Sequence, residues 1–153
     1  MSEFNDAVAP ESDFDAVGFP IDVSIPSDLR LIERVVDVVI RECATLSLSS
    51  RACSMSLPIA LTEAISNAIL YGNRQDVSKR VRVRAVVDNG SLVLEVADQG
   101  VGFDLEACTR DPTRPENLNR EDGRGLFLMR SLMDRVERFT DGGNVVRLTL
   151  YRT

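Results

Sequence analysis

Histidine is absent from this chain, and its absence closes more routes than any single residue opens. Without an imidazole there is no Ser-His-Asp or Cys-His catalysis, no histidine-ligated metal and no phosphoacceptor histidine. Tryptophan is missing too, and aromatic residues are only 5% of the chain, so the core must be built from Val, Leu, Ile and Ala. Cysteine is sparse. Cys43, Cys53 and Cys108 are odd in number, match no zinc spacing and suggest no secreted disulfide framework, so they read as reduced thiols of a cytoplasmic protein. No apolar run approaches the roughly 20 residues of a membrane helix. The acidic start, with Glu3, Asp6, Glu11, Asp13 and Asp15, is the opposite of a secretory signal. A basic excess is also lacking. The net charge of −6 argues against direct nucleic-acid binding.

What remains is an ordinary globular composition: 153 residues, 44% hydrophobic and 27% charged, enough for one domain with a stable core. Residues 1–18 mix acidic and small residues without periodicity and are expected to form a disordered tail. Residues 19–153 are expected to form a single domain without internal repeats. Ile21, Val23 and Ile25 alternate over 19–25, which predicts a strand. Ser27-Asp28 offers an N-cap for a helix carrying Leu29, Ile32, Val35, Val36 and Val39. A polar stretch, 47–54, reads as a loop. A second helix is predicted from Ser56 to Tyr71, with Pro58 in its first turn and Gly72-Asn73 as its terminator. Two strands, Val81–Ala85 and Leu92–Ala97, flank the turn Asp88-Asn89-Gly90-Ser91. Residues 99–123 form a long polar segment, of the kind that is usually functional. A helix over Leu126–Arg135 and two strands, Val136–Phe139 and Val145–Tyr151, complete the order. Sequential hairpins with three helices predict an α+β, two-layer α/β sandwich: a mixed, mainly antiparallel sheet covered on one face by helices.

Three stretches carry chemistry. In the helix Leu57–Gly72 the polar residues Thr62, Glu63, Ser66 and Asn67 fall on one stripe, with Glu63 and Asn67 one turn apart. The stripe is short and bears a single carboxylate, which suits the wall of a polar cavity; taken alone it suits a wetted helix face equally well. Asp98-Gln99-Gly100-Val101-Gly102-Phe103 follows a strand end, where glycine lets backbone approach a ligand and Asp accepts from an amino group. A plain turn would read the same. Gly123-Arg124-Gly125-Leu126 is expected to put two glycines at the mouth of a helix, where free N–H groups and the helix dipole suit phosphate. A loop that simply ends in a helix is the alternative.

In this order and spacing, E-x-x-x-N, D-x-G-x-G-F and G-x-G resemble the nucleotide fold of gyrase-type ATPases, Hsp90, MutL proteins and histidine kinases. The resemblance covers roughly residues 20–151 and is closest to the small anti-sigma serine/threonine kinases of the stress and sporulation type. It implies ATP with Mg²⁺. Asn67 would coordinate the metal and Glu63 would be the general base. Asp98 would receive the adenine amino group, with Gly100, Gly102 and Phe103 beside the base. Gly123, Arg124, Gly125 and Leu126 would close on the phosphates, and 104–122 would be a lid. Arg110, Arg114 and Arg124 serve equally as phosphate contacts or as a solvated surface. The chain departs from many relatives at Tyr71, where they carry His. The implied partners are a sigma factor and a serine-bearing, STAS-type anti-anti-sigma protein, with no nucleic acid and no membrane. The outer face of the first helix, including Arg34, would serve partner binding and formation of a homodimer. A module that holds ATP and sequesters a partner without phosphotransfer is the alternative. A histidine-kinase fragment, a type II topoisomerase or a chaperone ATPase is disfavoured, since phosphoacceptor histidine and further domains are missing from the sequence.

Overall fold

A computed structural model of the chain describes residues 20–43, 48–88, 90–100 and 121–151. Five strands form one sheet: β1 (Ile21–Pro26), β2 (Arg80–Asp88), β3 (Ser91–Ala97), β4 (Arg135–Thr140) and β5 (Asn144–Tyr151). Their spatial order is β1-β2-β3-β5-β4 and every neighbouring pair is antiparallel. Val81, Val83, Ala85, Leu92, Leu94, Val96, Leu148 and Leu150 alternate onto one face and join the helices in the core. The opposite face carries a row of alternating charge that crosses the sheet in register: Asp22, Arg84, Glu95, Arg147, Glu137. Glu95 ties the centre of this row, accepting from Arg84 at 2.7 Å and from Arg147 Nε at 2.8 Å.

Helix α1 (Ile32–Cys43) follows a 3₁₀ turn over Leu29–Leu31 that Asp28 caps by accepting from the Arg30 N–H at 2.9 Å. Its buried stripe is Ile32, Val35, Val36, Val39 and Cys43. Helix α2 (Leu57–Asn67) lies between α1 and α3 (Glu121–Leu132). Single π-helical turns extend it at both ends, Ala52–Ser56 and Ala68–Gly72.

Helical structure thus begins at Ser50, inside the stretch expected to be a loop. Ser49 Oγ accepts the Ala52 N–H at 3.0 Å and starts it. Pro58 explains the first π turn: its ring would crowd the carbonyl four residues back, and the wider turn relieves this. By length and composition the 21 residues Ala52–Gly72 would suit a membrane span, which corrects the expectation that no such run exists. Leu57, Ala60, Leu61, Ile65 and Ile69 are wholly or almost wholly buried in the protein core, and the apolar composition is that of a central core helix.

The helix ends at Gly72 with Asn73 as its C-cap, where the sequence predicts its end. Arg74 and Gln75 adopt positive φ (53° and 61°) and turn the chain, whereas Gly72 does not. Helix α3 begins at Glu121, five residues earlier than expected, and ends at Leu132, so that Arg135 opens β4.

Candidate functional site: a polar cleft on the central helix

Helical spacing carries Glu63, Ser66, Asn67, Leu70 and Tyr71 to one side of α2 and its terminal turn. There they line a cleft of about 290 Å³ with Gly125 and Leu128 of α3, at the lower end of ligand-pocket sizes. Thr62, expected on the same stripe, is exposed and lies outside this lining. Asn67 is 5% exposed and, among the described residues, its Nδ2 has no hydrogen-bond partner. A buried amide left unsatisfied costs free energy unless a ligand completes it.

Gly125 explains how α3 fits so close. A Cβ there would stand 2.6 Å from Glu63 Oε2 and 3.2 Å from Asn67 Nδ2. An added methyl would require the Glu63 carboxylate to shift and would crowd the Asn67 amide. The expectation that both glycines open the helix needs correction. Because α3 starts at Glu121, Gly123 lies in the first turn, whose N–H groups lack intrahelical partners, and Gly125 lies in the second. Arg124 is in the same helix and Leu126 is fully buried core.

Asp98 sits at the end of β3, 7% exposed. Its Oδ1 accepts from Gly100 N at 2.8 Å, from Asn144 Nδ2 at 2.9 Å and from Asn144 N at 3.3 Å. These three donors fix the carboxylate while Oδ2 faces Gly72. A Cβ on Gly72 would overlap Oδ2, and one on Gly100 would overlap the Gly72 carbonyl. Gly72, assigned from sequence as a helix terminator, therefore serves close approach between the end of α2 and the Asp98 turn.

The structure brings Glu63, Asn67 and Gly125 together and puts Asp98 at the far end of the same helix, against Gly72. Gly102, Phe103, Arg110, Arg114 and residues 104–120 of the expected lid lie outside the described residues, as does the tail 1–18. Sequence reasoning missed Gly72, Asn73 and Asn144. Asn144 reaches Asp98 across 46 residues of chain, and no local pattern signals such a pairing. Among the described residues no group of three His, Cys, Asp or Glu could hold a metal. An ion at Asn67 would take its other ligands from phosphate oxygens and water, as magnesium commonly does. The ligand would be the Asn67 amide oxygen, which leaves the buried Nδ2 to donate to a phosphate oxygen.

A family model described as a histidine kinase-like ATPase domain matches residues 25–150. Among curated proteins the chain is similar to "Serine-protein kinase RsbW" of Bacillus subtilis (strain 168), 34% identical over 100 residues, and to its namesake in Bacillus licheniformis, 37% identical over 100 residues. Each match covers 62% of this chain and 62% of the relative, so the chain spans less than two thirds of their length. Among solved structures it resembles the RsbU and RsbW domains of Rv1364c from Mycobacterium tuberculosis (TM-score 0.59, 16% identity, 86% of this chain and 31% of that one). It also resembles the catalytic domain of histidine kinase ThkA (TM-score 0.56, 13% identity, 87% and 97%). These two likenesses establish the fold.

Proposed function

The chain belongs to the histidine kinase-like ATPase domain family, and from that premise we propose that it is an ATP-dependent serine/threonine protein kinase and anti-sigma factor. Its substrate is a serine on a small STAS-type anti-anti-sigma protein, in partner-switching control of transcription. The observation that carries this reading is the pairing of Glu63 with Asn67 on one helix face, left open by Gly125. The relatives named serine-protein kinase support it.

In this reading Asp98 holds the adenine amino group and Gly100 borders the base. Gly123 and Gly125 let α3 lie close to the phosphates, with Gly102, Phe103, Arg124 and Leu126 completing the nucleotide-binding set. Bound at Asn67, Mg²⁺ would neutralise charge on the phosphates. Glu63 takes the proton from the acceptor serine as its oxygen bonds to the γ-phosphorus and the bond to the β–γ bridging oxygen breaks, releasing ADP. A base there serves transfer, whereas mere retention of nucleotide needs none. The partners meet the exposed face of α1, where Arg34 and Val38 are accessible, and the same face supports a homodimer. The protein acts in the cytoplasm.

The test is transfer of labelled γ-phosphate from ATP to an anti-anti-sigma protein. Wild type should label a serine, and Glu63→Ala should bind ATP without labelling it. Undiminished labelling by the variant would remove Glu63 from the mechanism. ATP-dependent capture of a sigma factor without any labelling by wild type would leave a sequestering module.

A further inference from the structure

We propose that Asn73 is a positioning residue for base recognition, a buried strut that sets the Asp98–Gln99–Gly100 turn against the end of the helix bearing Glu63 and Asn67. The proposal rests on the reading of Asp98 as the acceptor for adenine.

Asn73 is 1% exposed, and every polar atom of its side chain is engaged. Its Oδ1 accepts the Gln99 N–H at 2.7 Å, while Nδ2 donates to Ser27 Oγ at 2.9 Å and to the Arg80 carbonyl at 3.0 Å. The reverse amide orientation would set NH₂ against an N–H and oxygen against a carbonyl, so the network admits one orientation. Gln99 Oε1 in turn accepts the Arg80 N–H at 2.6 Å. Asn73, Gln99 and Arg80 therefore close a three-membered ring of hydrogen bonds. Ser27 anchors the ring from the β1–α1 junction by donating to the Lys79 carbonyl at 2.7 Å.

The Gln99 N–H belongs to the peptide unit that leaves Asp98. Holding that N–H fixes the peptide plane, and with it the direction in which the Asp98 side chain departs. Asn144 fixes the carboxylate from the other side. Asn73 reaches no base itself and acts through Asp98. Its removal should blur recognition at the base and leave phosphate contacts alone. Asn73 and Ser27 are the buried members of this network and Gln99 and Arg80 its exposed ones, so removing the Asn73 amide leaves the buried Ser27 hydroxyl and the Gln99 N–H without that partner.

The experiment is calorimetric titration of ADP and IDP into wild type and Asn73→Ala, with thermal melting to establish that each is folded. Hypoxanthine presents an oxygen where adenine presents the amino group. Wild type should favour ADP by roughly ten- to hundredfold, the worth of one hydrogen bond to a charged group. In Asn73→Ala the preference should fall to about threefold or less with IDP affinity nearly unchanged. An unchanged ADP/IDP ratio, or equal weakening of both nucleotides, would overturn the proposal. Should Asn73→Ala not fold, Ser27→Ala and Gln99→Ala each break one link of the network and should lower the ratio by a smaller factor; an unchanged ratio in both overturns it as well. A wild-type protein that binds ADP and IDP equally would sink the reading of Asp98 itself, and the proposal with it.

Discussion

Glu63 and Asn67 lie one helical turn apart, so backbone geometry alone puts a carboxylate and an amide side by side. That relation was legible in the sequence, as was Asp98 at a strand end. Gly72 was not, because a glycine after a helix reads as a stop signal, while its task here is to admit the Asp98 carboxylate. Asn144 escaped for a different reason: its partner is remote in the chain. Two outcomes follow at this scale. Glu63→Gln should lower phosphotransfer turnover by about 10²–10⁴-fold, the usual worth of a general base, with ADP affinity unchanged by calorimetry. Gly125→Ala should place a methyl group against Glu63 and Asn67 and weaken ATP binding by at least about tenfold, or roughly 1.4 kcal/mol, while the protein stays folded by circular dichroism.

At the scale of elements, strand alternation and the Asn-Gly and Gly-Gly turns marked the hairpins correctly, because half-buried strands repeat every two residues. Helix starts were harder to read. The π turn before Pro58 hid the beginning of the central helix within a Ser-rich stretch, since serine favours caps and turns as readily as helix. Gly123 and Gly125 hid the start of α3, because glycine lowers helix propensity. The charged row on the open sheet face depends on register, which only the paired strands reveal. Glu95 sits at its centre with a side chain 4% exposed. Glu95→Ala removes the carboxylate shared by Arg84 and Arg147 and should lower unfolding free energy by roughly 2–3 kcal/mol in urea titration. That is below the about 3–5 kcal/mol usual for a broken buried pair, because both guanidiniums have further contacts.

For the whole molecule, fold class was readable from element order, and the expectation of a nucleotide site came from three motifs that mean little separately. The folded protein also carries a pH signature. Burial, with smaller contributions from Cys53 and Glu42, raises the Cys43 thiol from 9.0 to about 11. A group raised on folding lends stability that is complete below its unfolded pKa and lost as pH climbs through the folded one. The melting temperature of wild type should therefore fall more steeply between pH 9 and pH 11 than that of Cys43→Ala, as scanning calorimetry would record. The account's central claim is that Glu63, Asn67 and Asp98 form one nucleotide site, and calorimetric titration of ATP and ADP, with and without Mg²⁺, into wild type and Asn67→Ala tests it most directly. Magnesium-dependent binding by wild type, lost or much weakened in the variant, is the predicted result; wild-type binding that ignores both magnesium and the Asn67 substitution would contradict it.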